Sequence, residues 1–203
     1  MIGVAEAFLR RRSREREKAV APDLMTDAEA EVAVFDVDET LITVKSMFRF
    51  LAFRLEHRYG RQDGRRHYAN ALAELEELRR RSDRSTVNRA FWRLFRGEPL
   101  SALVAEAEAW VAAETAEAGF FNDVVCERLA EERAAGRAIV YLSGSADFIL
   151  RPIVARLGGG EIVAIRLEVR DGLCTGEIVG IQTIGAGKCA ALLAHLAATG
   201  RAL

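Results

Sequence analysis

The pattern of apolar and polar positions predicts two kinds of region along this chain. Three short apolar runs, Val32–Phe35, Ala138–Leu142 and Glu161–Ile165, are typical of buried strands. Residues 46–120 show only helical patterns, whereas helices alternate with strands after about residue 122. Strand, helix, strand, helix and strand in this order indicate an α/β fold with a parallel sheet.

The helical region between the first two strands is too long to be a single crossover. Ser46 is suited to cap its first helix, which should end near Gly60. Further helices are predicted over Tyr68–Arg81, Val87–Phe95 and Ser101–Ala116. We therefore expect a helical cap at 46–121, a core built from 31–45 and 122–203, and an N-terminal basic extension at 1–30.

The second half of the chain contains the remaining predicted elements. Asp123–Ala135 is expected to form a helix, and Asp147–Leu157 another, in which Pro152 predicts a kink or a break. The segment Leu167–Ile178 has the pattern of a hairpin that turns at Asp171-Gly172. A last helix is expected to begin at Gly187-Lys188 and to end near Thr199.

Two aspartates, Asp36 and Asp38, directly follow the first predicted strand. The carboxyl ends of parallel strands are where open α/β sheets bind ligands, and residues two apart in extended backbone point to the same side. Asp36 could attack a phosphate ester, and Asp38 could transfer protons to and from the reacting groups. Both carboxylates suit Mg²⁺, and Thr40 could offer a hydroxyl and an N–H to the substrate. A turn or a helix N-cap would also explain such acids.

Ser143, Gly144 and Lys188 could complete a phosphate site. The hydroxyl of Ser143 and free N–H groups beside Gly144 would follow the second strand, and glycine permits a close backbone approach. Lys188 would place a positive charge at the start of the last helix. Ser143-Gly144 could also be an ordinary strand-to-helix turn, and Lys188 an ordinary solvated lysine. The prediction depends on the order of the motifs along the chain: two acids after the first strand, Ser-Gly after the second, and a lysine after the hairpin.

Composition and charge exclude several function classes. Half of the 203 residues are hydrophobic, and the net charge of −1 gives no general support for binding to nucleic acid or membrane. Arg10–Lys18 is dense in charge, but glutamates interrupt it, so we expect a solvated segment. The three cysteines lack C-x-x-C spacing, which fits a reducing cytoplasm.

The ordered motifs resemble those of the haloacid dehalogenase-like (HAD) superfamily, in particular its phosphoserine-phosphatase-like branch. Residues 35–41 are similar to its first motif, residues 141–145 to its second, and Gly187-Lys188 to its third. The resemblance implies a Rossmann-like, three-layer core, magnesium dependence, and a phosphoaspartate intermediate. It also implies Asp36 as the nucleophile and Asp38 as the acid and base. Glu39 stands where many members have glycine.

One motif of the superfamily has no counterpart in this sequence. Members carry a fourth, acidic motif on a further strand, which completes the magnesium site, whereas no acid follows Glu177 here. We expect the sequence to be truncated, with C-terminal strand or strands missing. The alternatives are an acid supplied from elsewhere in the chain, or an inactive protein.

These observations favour a magnesium-dependent phosphatase that acts on a small phosphorylated metabolite. A truncated or impaired member that binds a ligand or a partner protein is the main alternative. Phosphotransfer to an alcohol, and nucleic-acid processing through Arg10–Lys18, are further possibilities. Ser46, Arg49 and Arg54 are candidates for substrate selection, although a solvated helix face explains the arginines better.

Overall fold

The computed structural model of the protein describes residues 31–201, so the predicted extension at 1–30, with Arg10–Lys18, lies outside the described residues. The strands are β1 (Val32–Asp36), β2 (Ala138–Ala146), β3 (Glu161–Arg170) and β4 (Leu173–Val179). The helices are α1 (Ser46–Tyr59), α2 (Arg61–Arg79), α3 (Arg84–Arg93), α4 (Leu100–Glu114), α5 (Asp123–Ala134), α6 (Asp147–Arg156) and α7 (Ala186–Thr199).

The four strands form one sheet in the order β1-β2-β3-β4. The pairs β1–β2 and β2–β3 are parallel, and β3–β4 is antiparallel. The α/β fold is therefore as predicted. The third strand and the hairpin are not separate elements, since β3 continues through Leu167 to form the first arm of the hairpin. The turn is the predicted one, and both Asp171 (φ 50°) and Gly172 (φ 80°) have the positive φ of a type I′ turn.

Alternating side chains cover the two faces of the sheet with separate apolar clusters. Val32, Val34, Val140, Leu142 and Val163 pack with Ala191 and Leu192 of α7 on one face. Their sequence neighbours Ala33, Phe35, Ile139, Tyr141 and Ile162 belong to the larger cluster on the other face. This period of two places helices on both faces of the sheet, which gives the expected three layers.

Helices α1–α4, called the inserted helices below, share their core with the rest of the fold. Two buried aromatic rings lie against Phe148 of α6, that of Phe50 in α1 at a centroid distance of 5.7 Å and that of Phe95, just after α3, at 6.3 Å. Trp110 of α4 lies 6.0 Å from Phe50. All four side chains are buried. Packed aromatic rings of this size contribute strongly to core stability, so they hold α1 and α4, and the segment that follows α3, against α6.

Of the kink or break predicted at Pro152, the break is absent, because α6 is continuous across it. Proline removes one helical hydrogen bond, but Ile149 and Ile153 on either side of it are fully buried in the core. Tertiary packing therefore compensates for the weakened helix. Among residues 31–201, no helix has the length and apolar composition that a membrane crossing requires.

Candidate active site

The predicted site residues on the sheet lie near the carboxyl ends of two neighbouring parallel strands. Asp36, the last residue of β1, pairs in register with Leu142 of β2, so Ser143 and Gly144 come next to it. Because the strands are parallel, the segments that follow them leave the sheet at the same edge. This edge is where the chain brings together Asp36, Asp38 and Gly144.

Lys188 forms a close ion pair with Asp36. Its Nζ lies 2.5 Å from Asp36 Oδ1, and the two side chains are 32% and 43% exposed. Lys188 reaches this point because α7 begins close to the preceding loop. A Cβ on Gly187 would lie 2.0 Å from the carbonyl oxygen of Gln182, which only glycine permits. The pair is therefore fixed in position and still open to a ligand.

Asp38 is oriented by hydrogen bonds to both of its carboxylate oxygens. Oδ1 accepts from the backbone N–H of Ser46 at 2.6 Å, and Oδ2 accepts from the hydroxyl of Ser143 at 2.7 Å. Ser143 is fully buried, and its Oγ also accepts from the N–H of Ser145 at 3.0 Å. Ser143, which we predicted to bind substrate, is thus placed to hold Asp38. Ser46 helps to orient Asp38 through its backbone N–H.

The loop between β1 and α1 is folded tightly around Val37. Its carbonyl oxygen accepts hydrogen bonds from the backbone N–H groups of Thr40, Leu41 and Ile42. Glu39 has a φ of 58°, in the left-handed region. This region costs a non-glycine residue roughly 1 kcal/mol, which explains why glycine suits the position. Thr40, which the sequence suggested for substrate binding, is not among the residues that line the cavity around the two aspartates.

A cavity of about 750 Å³, called the site cavity below, contains the two aspartates. Its lining comes from both parts of the fold: Asp36, Asp38, Glu39, Lys45, Met47, Phe48, Leu75, Arg79, Ser82, Arg84, Val87, Asn88, Phe91, Gly144, Ile184 and Lys188. The end of β1 and the loop after it supply the carboxylates, α7 supplies Lys188, and the inserted helices supply apolar side chains and further cations. Arg84 has no ion pair with any residue in 31–201. The cavity is therefore suited to an anionic ligand.

Gly144 lines this cavity where the backbone is tightly packed. A Cβ at this position would lie 2.7 Å from Ile184 Cγ2 and 3.3 Å from the carbonyl oxygen of Thr183. A side chain would displace the segment that precedes Lys188. The requirement for glycine thus has a local steric cause.

The two arginines considered for substrate selection have different surroundings. Arg54 is 5% exposed and forms ion pairs with Glu98 and Glu106. Burial opposes ionisation of Glu98, but hydrogen bonds from Arg58 and Arg54 outweigh it, and the pKa of Glu98 is lowered. Arg54 thus binds the inserted helices together and is absent from the site cavity lining. Arg49 is half exposed and pairs with Glu114 at 2.8 Å.

Sequence reasoning missed Gln182, which joins the segment before Lys188 to α3. Its Nε2 donates to Asn88 Oδ1 at 2.8 Å and to the backbone oxygen of Ser85 at 3.0 Å. Its Oε1 also contacts the hydroxyl of Ser85. Next to it, Thr183 Oγ1 donates to the backbone oxygen of Ser143 at 2.7 Å. No sequence motif marks Gln182, because its partners lie more than 90 positions away.

The chain thus has an α/β sheet with a lysine-paired aspartate at the end of its first strand, and a comparison with protein families shows its family. The family model described as haloacid dehalogenase-like hydrolase matches residues 33–203. The chain therefore belongs to this family of hydrolases. No curated protein matches the chain.

Solved structures share this fold. A protein of unknown function from Bordetella pertussis Tohama I has a TM-score of 0.73 and 23% identity, over 86% of this chain and 78% of that one. A phospho-aspartyl intermediate analogue of phosphoserine phosphatase has a TM-score of 0.56 and 18% identity, over 86% and 75%. A substrate-bound phosphoserine phosphatase complex has a TM-score of 0.55 and 17% identity, over 86% of this chain and 74% of that one. At these identities the likeness concerns the fold.

The donor set at this site is compatible with Mg²⁺, which the family implies. Mg²⁺ is commonly bound through one or two carboxylates together with water and substrate phosphate. Asp36 and Asp38 provide two carboxylates at one cavity. Within residues 31–201, no group of three or more His, Cys, Asp or Glu side chains is arranged to hold a metal. A metal here would depend on ligand oxygens to complete its coordination.

Proposed function

We propose that the protein is a phosphatase that hydrolyses a small phosphorylated metabolite through an aspartyl-phosphate on Asp36. The observation that carries this proposal is the position of Asp36, half exposed in the site cavity, 2.5 Å from Lys188. Asp38 is held in the same cavity by Ser46 and Ser143. Membership of a hydrolase family supports the reaction class.

In the first step, a carboxylate oxygen of Asp36 attacks the phosphorus atom. The bond between phosphorus and the ester oxygen breaks, and Asp38, in its protonated form, gives its proton to the departing alcohol. Lys188 stabilises the charge on the transferring group. We expect the backbone N–H of Gly144, which lines the site cavity, to contact a phosphate oxygen.

In the second step, water attacks the phosphorus atom of the aspartyl-phosphate. Asp38, now ionised, accepts a proton from this water, and the bond to the Asp36 oxygen breaks. Inorganic phosphate leaves, and both carboxyl groups return to their initial state. The hydrogen bonds from Ser46 and Ser143 keep Asp38 in one orientation for both transfers.

Asp36 and Asp38 are the residues that would hold Mg²⁺. When bound, the ion would supply positive charge that reduces the repulsion between a carboxylate and an anionic phosphate ester. The carboxylate oxygens of these two residues favour this ion over softer metals. We also propose a cytoplasmic location, because all three cysteines are unpaired, as is usual in reducing compartments.

Removal of the metal is expected to abolish most of the activity. Chelation by EDTA should lower kcat/KM for p-nitrophenyl phosphate by about a hundredfold or more, since metal ions supply several kcal/mol of charge stabilisation. Added Mg²⁺ should restore it. Both the loss with EDTA and the recovery with Mg²⁺ are measured as phosphate release from p-nitrophenyl phosphate and from a panel of phosphorylated metabolites. Turnover no higher than that of an Asp36→Asn variant would contradict the phosphatase proposal and favour a ligand-binding role.

Loss of the Gln182 contacts is expected to lower activity by about tenfold. Gln182→Ala removes hydrogen bonds worth about 1 kcal/mol each and loosens the segment that positions Lys188. Ile181→Ala is the matched control, because Ile181 is an exposed neighbour in the same segment. Thermal unfolding and kcat/KM should be measured together. A folded Gln182→Ala protein with the kcat/KM of the Ile181→Ala variant would show that the contact has no role in positioning.

A further inference from the structure

A second cavity of about 720 Å³ continues from the site cavity between helices α1 and α2. This groove is lined by Val44, Lys45, Phe48, Arg49, Ala52, Tyr68, Leu72, Leu75, Glu76, Arg79 and Val87. Lys45, Phe48, Leu75, Arg79 and Val87 line both cavities. The groove therefore opens directly into the space that contains Asp36.

The spacing of the lining residues gives the groove its direction. Residues 45, 48, 49 and 52 lie on one face at the start of α1, and residues 68, 72, 75, 76 and 79 lie on one face of α2. Side chains three and four positions apart share a helix face. The two faces form the walls of a groove that extends from the site cavity along the inserted helices.

The walls offer mainly apolar contact. Phe48, Tyr68 and Leu72 are partly exposed there, and Leu75 is 8% exposed. The arginines in the groove already have partners, since Arg79 pairs with Glu76 at 2.7 Å and Arg49 with Glu114 at 2.8 Å. A polar ligand would thus have to compete with these ion pairs, whereas a hydrocarbon chain would bury apolar surface.

We infer that the substrate is a phosphate monoester of an extended apolar alcohol. Its phosphate would lie at Asp36 and Lys188, and its hydrocarbon chain would lie in the groove against Phe48 and Leu72. The inference rests on the proposed phosphatase function, and it identifies the chemical class of the leaving alcohol. Arg84, at the site cavity, adds positive charge near the phosphate end.

The test measures binding of ethyl, butyl, hexyl and octyl phosphate, each as a monomer in solution. Isothermal titration calorimetry on the Asp36→Asn variant prevents hydrolysis during the measurement. Burial of one methylene contributes about 0.8 kcal/mol, which corresponds to roughly fourfold in Kd, so we expect Kd to fall by about two- to fourfold per methylene. Equal Kd values for ethyl and octyl phosphate would overturn the inference.

Leu72→Asn tests whether the chain lies in the groove. Leu72 lines the groove and is absent from the site cavity lining, so the variant should reduce the ratio of the ethyl to the octyl Kd by about tenfold. Leu78→Asn is the matched control, because Leu78 is partly buried on α2 but lines neither cavity. This control should keep the native ratio. The same ratio in both variants would place the hydrocarbon elsewhere and overturn the assignment.

Two other outcomes separate this inference from the phosphatase proposal. Chain-length-dependent binding without hydrolysis of any ester by the native protein would support the groove and contradict the reaction. Hydrolysis of p-nitrophenyl phosphate, together with a Kd for alkyl phosphates that does not depend on chain length, would support the reaction and contradict the groove. A dimer that dissociates on Leu72→Asn, with no chain-length dependence, would assign the groove to a second copy of the chain and overturn the inference.

Discussion

Asp36→Asn is expected to reduce kcat by more than about a thousandfold, because loss of a nucleophile removes the reaction path itself. An amide does not form the acyl-phosphate that a carboxylate forms. The variant should still fold, since the amide oxygen can accept the hydrogen bond from Lys188 that Asp36 Oδ1 accepts in the native protein. The measurement is phosphate release from p-nitrophenyl phosphate under saturating substrate.

The matched control for this variant is Glu39→Gln. Glu39 is an exposed carboxylate at the same cavity, and it pairs only weakly with Lys45, at 3.4 Å. Its replacement changes the local charge by the same amount and should leave kcat within about twofold of the native value. Comparable losses in both variants would mean that charge alone matters, and a nucleophilic role for Asp36 would then be excluded.

Asp38→Asn is expected to lower kcat/KM for an alkyl phosphate by about 10²- to 10⁴-fold, the usual contribution of a general acid and base. An alkoxide is a poor leaving group, so it depends on the proton from Asp38. p-Nitrophenolate leaves without protonation, and the first step should therefore be nearly normal for p-nitrophenyl phosphate. The second step still needs a base, so we expect a burst of p-nitrophenol followed by slow turnover.

The burst distinguishes proton transfer from a structural role of Asp38. The amide introduced by Asp38→Asn would keep one acceptor oxygen for Ser46 or Ser143, so the loop should retain its fold. Circular dichroism and thermal unfolding would verify this. An equal loss of kcat/KM for the alkyl and the nitrophenyl ester, without a burst, would contradict the acid and base assignment.

The site could be predicted from sequence where its residues lie next to strand ends. Asp36 ends β1 and Gly144 lies in β2, so strand prediction and parallel pairing sufficed to bring them together. Lys188 was predictable only as part of an ordered set of motifs, because its contact with Asp36 spans 152 positions. Substrate binding by Ser143 stays a prediction, and the hydrogen bond from its hydroxyl to Asp38 depends on tertiary geometry that the sequence does not show.

Features that depend on the packing of distant elements were beyond sequence reasoning. Gln182 binds Ser85 and Asn88 through side-chain geometry that no periodic pattern encodes. Pro152 favours a helix break locally, and tertiary packing of its buried helix overrides that preference. The groove depends on which faces of α1 and α2 meet, and a helical pattern indicates faces without their partners. Fold class follows from local patterns, whereas substrate contacts follow from tertiary arrangement.

The most direct test of the central claim is to trap the phosphorylated enzyme. The Asp38→Asn variant, which should accumulate the intermediate, would be mixed with p-nitrophenyl phosphate and quenched in acid. Borohydride reduction and peptide mass spectrometry would then locate the acyl-phosphate. We predict that Asp36 is converted to homoserine in the peptide that contains it. Turnover with no modification at Asp36, or modification at another residue, would contradict the mechanism.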